Sequence, residues 1–262
     1  LYRGHKMKIK NFRKAMCMLC TISLLLPINS YAKSRGGREN PGAAIFVMAQ
    51  VPSVAVDSKQ IEYKTSFIQL DAKIPQIHGL SNKAFEKELN KKLLKDAQNR
   101  IKNIIEEAKT YNKDMLQDNI PPLKFEYLEN FGQVKSPEPY LTLEFLEYQY
   151  SGGAHGIGHT KYITIDKSQN RIITLPDLFK EESNYEQAIN EEINRQIIER
   201  TNKGEFFFTG SDGFNGIKEN QEFYINSNGD LAIVFNVYEI APYAAGVVEM
   251  IISHDILAPY LK

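Results

Sequence analysis

The most regular pattern of apolar and polar positions lies between residues 82 and 108. Apolar side chains recur there every three or four residues, which predicts an amphipathic helix from Asn82 to about Ala108 that lies on a sheet. The apolar stripe consists of Phe85, Leu89, Leu93, Ala97, Ile101, Ile105 and Ala108. Ser81 is a suitable N-cap, and Leu80 can pack against Phe85 across the start of the helix.

A second helical pattern predicts a helix from about Asn184 to Thr201. The segment opens with Ser183-Asn184-Tyr185-Glu186, which has the spacing of a capping box. Apolar residues of this segment fall on one side, so this helix should also cover a sheet: Tyr185, Ala188, Ile189, Ile193 and Ile197.

Alternating apolar and polar residues predict strands along most of the remaining chain. Ile61–Ile77 is interpreted as one strand whose change of parity marks a β-bulge. Further strands are predicted at Leu123–Phe131, Tyr140–Tyr150, His159–Asp166, Arg171–Leu175, Glu222–Ile225, Leu231–Val237 and Val247–Ser253. Asn228-Gly229 predicts a hairpin turn. The order of elements indicates an α+β fold, with antiparallel sheets each covered by an amphipathic helix, in two closely associated subdomains.

Residues before position 33 have the features of a secretory signal peptide. Lys8, Lys10, Arg13 and Lys14 form a positive n-region, an apolar run follows from Ala15 to Ile28, and Ser30-Tyr31-Ala32 offers small residues for cleavage. Residues 1–6 resemble upstream translated sequence. The alternative is a retained membrane anchor, but the run is shorter than the roughly 20 residues that span a bilayer. We predict cleavage after Ala32 and an extracytoplasmic protein, secreted or associated with the cell wall, with no membrane span.

Charge and cysteine content narrow the possible functions. The chain has 32 basic and 32 acidic residues. The first 32 residues contain six of the basic residues and none of the acidic ones, so the predicted mature chain is acidic and nucleic-acid binding is disfavoured. Cys17 and Cys20 both lie in the apolar run, so cleavage would leave no disulfide and no thiolate metal site.

The predicted elements divide the chain into four parts. After the signal peptide at 1–32, residues 33–57 form a linker or an edge strand. Residues 58–120 form a smaller N-terminal α+β subdomain, and residues 121–262 form a C-terminal α+β domain. Pro121 and Pro122 mark the boundary between the last two parts.

The sequence contains few residues in patterns typical of catalytic or metal sites. His155 and His159 form an H-x-x-x-H pair, but the glycines around them disfavour a helix, and residues four apart on a strand lie about 13 Å from one another. We therefore predict no metal site and no cofactor. Ser151 lacks the surroundings of a nucleophile elbow, so no catalytic residue is assigned, although an enzyme remains the alternative. Phe206-Phe207-Phe208 cannot all face one side, so at least one of these rings should be exposed.

Three ordered motifs carry a resemblance to a known family. They are Tyr150-Ser151-Gly152-Gly153-Ala154-His155-Gly156, Ile173-Thr174-Leu175-Pro176-Asp177-Leu178-Phe179 and Tyr238-Glu239-Ile240-Ala241-Pro242-Tyr243-Ala244-Ala245-Gly246. They resemble a bacterial extracytoplasmic family of unknown function. That family forms the lysozyme-binding region of the anti-sigma factor RsiV and precedes the catalytic domain of PdaC-type peptidoglycan deacetylases.

The resemblance implies a secreted, non-enzymatic binding or sensing module at the cell envelope. Its implied partners are lysozyme or peptidoglycan, and the alternative is a cell-wall hydrolase or an accessory domain of a deacetylase. Ligands usually contact loops on a rigid scaffold, and two of the motifs sit at strand ends. We therefore expect these motifs to meet at one edge of the sheet, with His155, His159, Glu239 and Tyr243 as the ligand-binding residues.

Overall fold

A computed structural model describes residues 8–12 and 54–262 of the chain. Within these residues three α-helices form: α1 (Lys83–Gln117), α2 (Tyr185–Asn202) and α3 (His254–Leu257). The strands are β1 (Lys8–Phe12), β2 (Ala55–Lys64), β3 (Ile68–His78), β4 (Phe125–Val134), β5 (Tyr140–Tyr150), β6 (Ile157–Asp166), β7 (Arg171–Ile173), β8 (Glu222–Ile225), β9 (Leu231–Phe235) and β10 (Val248–Ile252). The α+β class is confirmed.

The strands form two sheets. The first contains β1 to β7 in chain order, and the second has the order β10, β9, β8. Neighbouring strands are antiparallel as predicted, with one exception, since β3 and β4 are parallel. Helix α1 connects these two strands, and a parallel pair needs a crossover of this kind.

The change of parity between Ile61 and Ile77 marks a hairpin, so the predicted β-bulge was wrong. Strands β2 and β3 pair antiparallel along their full length, with Lys64 opposite Gln69. The amide of Thr65 donates to the carbonyl of Ile68 at 2.8 Å and closes the turn. A reversal of the chain and a bulge both shift the alternation of side chains, so the pattern alone could not separate them.

Helix α1 covers the first sheet with the predicted stripe. Leu89, Leu93, Ala97 and Ile101 are buried against the sheet. The N-cap is Asn82, whose side chain accepts bonds from the amides of Ala84 and Phe85, and not Ser81. The helix continues nine residues past the predicted end, to Gln117.

The extension of α1 is stabilised by a buried amide. Asn112 donates to the carbonyls of Ala108 and Leu123 at 2.8 and 2.9 Å, which ties the last turns of the helix to the chain entering β4. The apolar period weakens there, so the pattern gave no signal for this part of the helix.

The second core is smaller and contains α2, α3 and the three-stranded sheet. Helix α2 begins and ends within one residue of its predicted bounds and buries Ile189 and Ile193. The buried side chains of the first core run up to Ile165, and those of the second begin at Ile173. The buried side chains therefore separate into two clusters near β7, and the domain boundary after residue 120 stays a prediction.

Part of the predicted signal peptide falls within the structure. Lys8–Phe12, from the predicted n-region, forms β1 and pairs antiparallel with β2. The apolar run and the predicted cleavage site lie outside the described residues, so cleavage stays a prediction. Among the residues that the structure describes, no helix is both long and apolar enough to cross a membrane.

Side chains join the two sheets along one edge of β6. The amide of Thr160 donates to Oδ1 of Asn236 at 2.7 Å, and Nδ2 of Asn236 donates back to the Thr160 carbonyl at 3.0 Å. The amide of Tyr162 donates to Oε2 of Glu222 at 2.7 Å. The asparagine amide thus pairs with β6 in the way that a neighbouring backbone would.

Candidate functional site

Two of the motif segments meet where β5 turns into β6. Ser151–Gly158 links these two strands, and Tyr238–Gly246 lies between β9 and β10. The rings of His155 and Tyr243 stack with centroids 4.2 Å apart and an angle of 26° between planes. The hydroxyl of Tyr243 donates to the Gly156 carbonyl at 3.3 Å. The structure therefore brings the two segments together.

The glycine-rich hairpin holds the Gly156 carbonyl in position to accept the bond from Tyr243. Nδ1 of His155 lies 2.9 Å from the same Gly156 oxygen, so the proton sits on Nδ1 and the carbonyl accepts two bonds. The ring of Tyr148 lies directly against Gly156, and a Cβ atom at this position would come within 2.4 Å of the Tyr148 ring. Any larger residue at this position would have to displace the Tyr148 ring.

Tyr238 has a backbone conformation that is unusual for a bulky residue. Its φ is 67°, in the left-handed region, and half of its surface is exposed. Its ring centroid lies 5.7 Å from that of Tyr243. Bulky residues held with positive φ are strained and are concentrated at ligand-binding and catalytic sites. Tyr238, Tyr243 and His155 together form an exposed aromatic surface, which we call the aromatic platform.

Glu239 has a different role from its aromatic neighbours. Its Oε2 accepts from the Asn236 amide at 2.8 Å, and the Glu239 amide donates to the Asn236 carbonyl at 3.0 Å. Its Oε1 pairs with Lys218 at 3.0 Å. Both carboxylate oxygens are thus engaged in holding the turn.

His159 lies beside the aromatic platform without joining it. It is exposed on β6 and pairs in register with Glu147 of β5. It lines a shallow depression of about 380 Å³ together with Leu146, Tyr243 and Val247. Within the described ranges, no group of three or more histidine, aspartate or glutamate side chains is arranged to hold a metal ion.

Several residues of this region were not predicted from the sequence. Glu222 is one, because nothing in its local pattern showed that β8 would point it at the edge of β6. Burial raises the pKa of the Glu222 carboxyl, against the lowering effects of the Tyr162 amide and of Lys161 and His159. Leu146 and Val247 are others, since single exposed apolar residues carry no recognisable signal.

The Phe206–Phe208 segment borders the same loop. The amide of Phe208 donates to the carbonyl of Ile240 at 2.9 Å. Phe207 is buried beneath the guanidinium of Arg200, whereas Phe206 is 67% exposed, as the sequence predicted for at least one of these rings. The loop that carries Tyr243 therefore lies between the glycine-rich hairpin and an exposed aromatic segment.

Two family models match successive parts of the chain. The family model described as "Deacetylase PdaC" matches residues 61–158. The model described as "Protein of unknown function (DUF3298)" matches residues 176–255. Together they span nearly all of both cores.

Individual relatives agree with these matches. The anti-sigma-V factor RsiV of Bacillus subtilis strain 168 is 30% identical over 232 residues, which cover 85% of this chain and 77% of RsiV. A crystal structure of a DUF3298 family member from Bacteroides fragilis NCTC 9343 has a TM-score of 0.63 at 19% identity and covers 81% of this chain and 95% of its own. A DUF3298 family protein from Pseudomonas aeruginosa PAO1 has a TM-score of 0.53 at 15% identity, with coverages of 81% and 96%. The chain belongs to the family of RsiV-like proteins, in which a PdaC-type region is followed by a DUF3298 domain.

Proposed function

We propose that this protein is an extracytoplasmic, non-enzymatic binding module that senses a partner at the cell envelope, and that it binds lysozyme through the aromatic platform. The observation that supports the proposal is the stacking of His155 on Tyr243, with both side chains bonded to one carbonyl of the glycine-rich hairpin. Rigid aromatic side chains lose little conformational entropy on binding and are frequent hot spots of protein interfaces.

The surroundings of the aromatic platform suit a protein surface better than a small molecule. The neighbouring depression at Leu146, His159 and Val247 is shallow and open, whereas small-molecule sites are concave and bury most of their ligand. Aromatic area bordered by charged and polar groups, here Glu147 and His159, is the usual composition of a protein interface.

Peptidoglycan is the second ligand to be tested. The match of residues 61–158 to a family named after a deacetylase favours a wall polymer, because exposed tyrosine and histidine rings can also stack on sugar rings. In that case the module would hold the polymer and a separate catalytic domain would act on it.

The decisive experiment measures binding of the protein to purified lysozyme and to peptidoglycan sacculi in parallel. We expect Tyr243→Ala to weaken binding of the true partner at least about tenfold, since a central aromatic hot spot is worth about 2 kcal/mol or more. His155→Ala should weaken it less, because the Tyr243 hydroxyl still holds the hairpin.

The matched control is Tyr111→Ala on α1. Tyr111 and Tyr243 are 38% and 37% exposed, and each has an aromatic neighbour, but Tyr111 lies on the helix and away from the motif loops. Equal binding by the Tyr243→Ala and wild-type proteins would rule the proposal out. A lower melting temperature with unchanged affinity would assign Tyr243 to structure alone.

A further inference from the structure

A partly enclosed cavity of about 280 Å³ lies between the two cores, at the end of β6 away from the aromatic platform. The hairpin site is at the start of β6 and the cavity is at Asp166, so roughly 30 Å of strand separates them. Both cores contribute to the cavity: Tyr140 and Asp166 come from the first sheet, and the remaining wall comes from the second core. Ligand cavities occur preferentially at such junctions.

The wall of this cavity on the second-core side is apolar and well packed. It consists of Ile173, Leu178, Phe179, Ile225, Leu231 and Leu257. The ring of Phe179 stacks on Tyr185 at 4.1 Å, and its backbone pairs with Leu261, so this wall is fixed on both sides. An apolar body of several carbon atoms could occupy the space, because a 150 Å³ apolar cavity already accepts benzene.

The acidic groups of the cavity are occupied by internal hydrogen bonds. Oδ1 of Asp166 accepts from Ser168 and Gln169, and its Oδ2 accepts from the Gln169 amide group. Burial by itself would raise the pKa of Asp177, but bonds from Thr174 and Arg171 lower it to about 2, so it stays ionised and paired. Asp177 is thus neutralised by Arg171, and the oxygens of Asp166 are engaged by Ser168 and Gln169.

The groups that remain available are donors. Within residues 54–262, the side chains of half-buried Tyr140 and of exposed His254 and Lys262 take part in no hydrogen bond or ion pair, and all three line the mouth of the cavity. Burial, together with the Asp166 carboxylate, raises the pKa of Tyr140, so its hydroxyl keeps its proton and can donate. Three unpaired donors beside an apolar wall complement a ligand that has an anionic head and an apolar body.

We propose that this cavity binds a small amphipathic anion, a single carboxylate or similar acidic group on an apolar chain. The apolar wall holds the chain, and Tyr140, His254 and Lys262 bind the head. This site is separate from the aromatic platform and does not depend on the function proposed for it.

The test is calorimetric titration of the full chain with sodium octanoate, and with octylamine as a probe of opposite charge and equal length. We expect saturable one-to-one binding of octanoate and at least about tenfold weaker binding of octylamine. Lys262→Gln and Tyr140→Phe should each weaken octanoate binding roughly fivefold. Lys203→Gln, which removes the same charge from the exposed end of α2, should leave the affinity within about twofold.

Ile225→Phe fills the cavity and should abolish octanoate binding while the protein still melts cooperatively. If that variant fails to fold, the Lys262→Gln and Tyr140→Phe titrations decide. The proposal is overturned by an absence of saturable octanoate binding, by equal or tighter binding of octylamine, or by octanoate affinities that the two donor variants leave unchanged.

Discussion

The two cores attach their helices to their sheets in different ways. Helix α1 buries eight side chains along its 35 residues, and Arg100 reaches from it to the buried Glu129 of β4. Helix α2 buries two side chains along 18 residues, and its charged groups pair with one another on the surface. The first core is thus held by many buried contacts of its helix, while the second supplies the Tyr238–Gly246 loop of the aromatic platform. Substitutions in the first should act on the fold, and those in the loops on the surface that a partner would meet.

The largest effect is expected for Leu93→Asp. Leu93 is 6% exposed in the centre of the α1 stripe, and an aspartate there would bury a charge without a counter-ion. We expect a loss of at least about 4 kcal/mol in the free energy of unfolding, measured in urea. Lys95→Asp, on the exposed side of the same helix, should cost no more than about 1 kcal/mol. Equal denaturation midpoints for Leu93→Asp and the parent would show that the stripe is not core.

The next largest loss of stability is expected for a substitution of Arg100, and a substitution of Arg195 on α2 is the control. Nη2 of Arg100 lies 2.5 Å from Oε1 of Glu129, whose side chain is fully buried. Arg100→Met should destabilise the protein by about 3 kcal/mol at pH 7, because it leaves that buried carboxylate without a counter-ion and with only the bond from the Tyr127 hydroxyl. Arg195→Met removes an exposed arginine with two carboxylate partners and should cost about 1 kcal/mol or less.

The pH dependence of the Arg100→Met protein checks the cause. Burial raises the pKa of Glu129, and Arg100 opposes this, so removing Arg100 raises the pKa further. When the folded state raises the pKa of a carboxyl, the group costs no stability at low pH, where it is protonated in both states. The protein loses stability as the pH rises, because the folded state then has to hold the carboxylate. The difference in unfolding free energy between the parent and the Arg100→Met protein should therefore become smaller at low pH. Adding Glu129→Gln to Arg100→Met should recover about 2 kcal/mol of stability at pH 7. A deficit that is constant with pH would contradict this explanation.

The smallest effect tests whether the strain at Tyr238 is real. Tyr238→Gly and Tyr238→Ala remove the same ring, but only alanine keeps a Cβ atom at the φ of 67°. We expect the glycine variant to be more stable than the alanine variant by about 1 kcal/mol, measured by thermal unfolding. Identical melting temperatures would mean that the loop relaxes and stores no strain.

The sequence predicted elements better than it predicted their partners. Apolar residues recur at helical spacing from Leu89 to Ala108, and no strand has this spacing, so α1 was recognisable. The strands β5 and β8 have their predicted bounds. The parallel pairing of β3 with β4 was missed because it depends on the path of α1 across the sheet. The contact of His155 with Tyr243 was expected from the position of both motifs at strand ends, whereas the engagement of Glu239 with Asn236 and Lys218 depends on side-chain directions that spacing does not encode.

The bonds from Asn236 and Glu222 to β6 also bear on whether the first sheet can pair with strands of other chains. Strand β7 covers β6 only from Thr164 to Asp166, so the stretch before it has no strand on that side. An uncovered strand edge is a template for pairing with other chains. The Asn236 amide and the Glu222 carboxylate occupy backbone groups of Thr160 and Tyr162 that an incoming strand would need. Docking of the second core therefore closes the sheet against strand addition without contributing a strand to it.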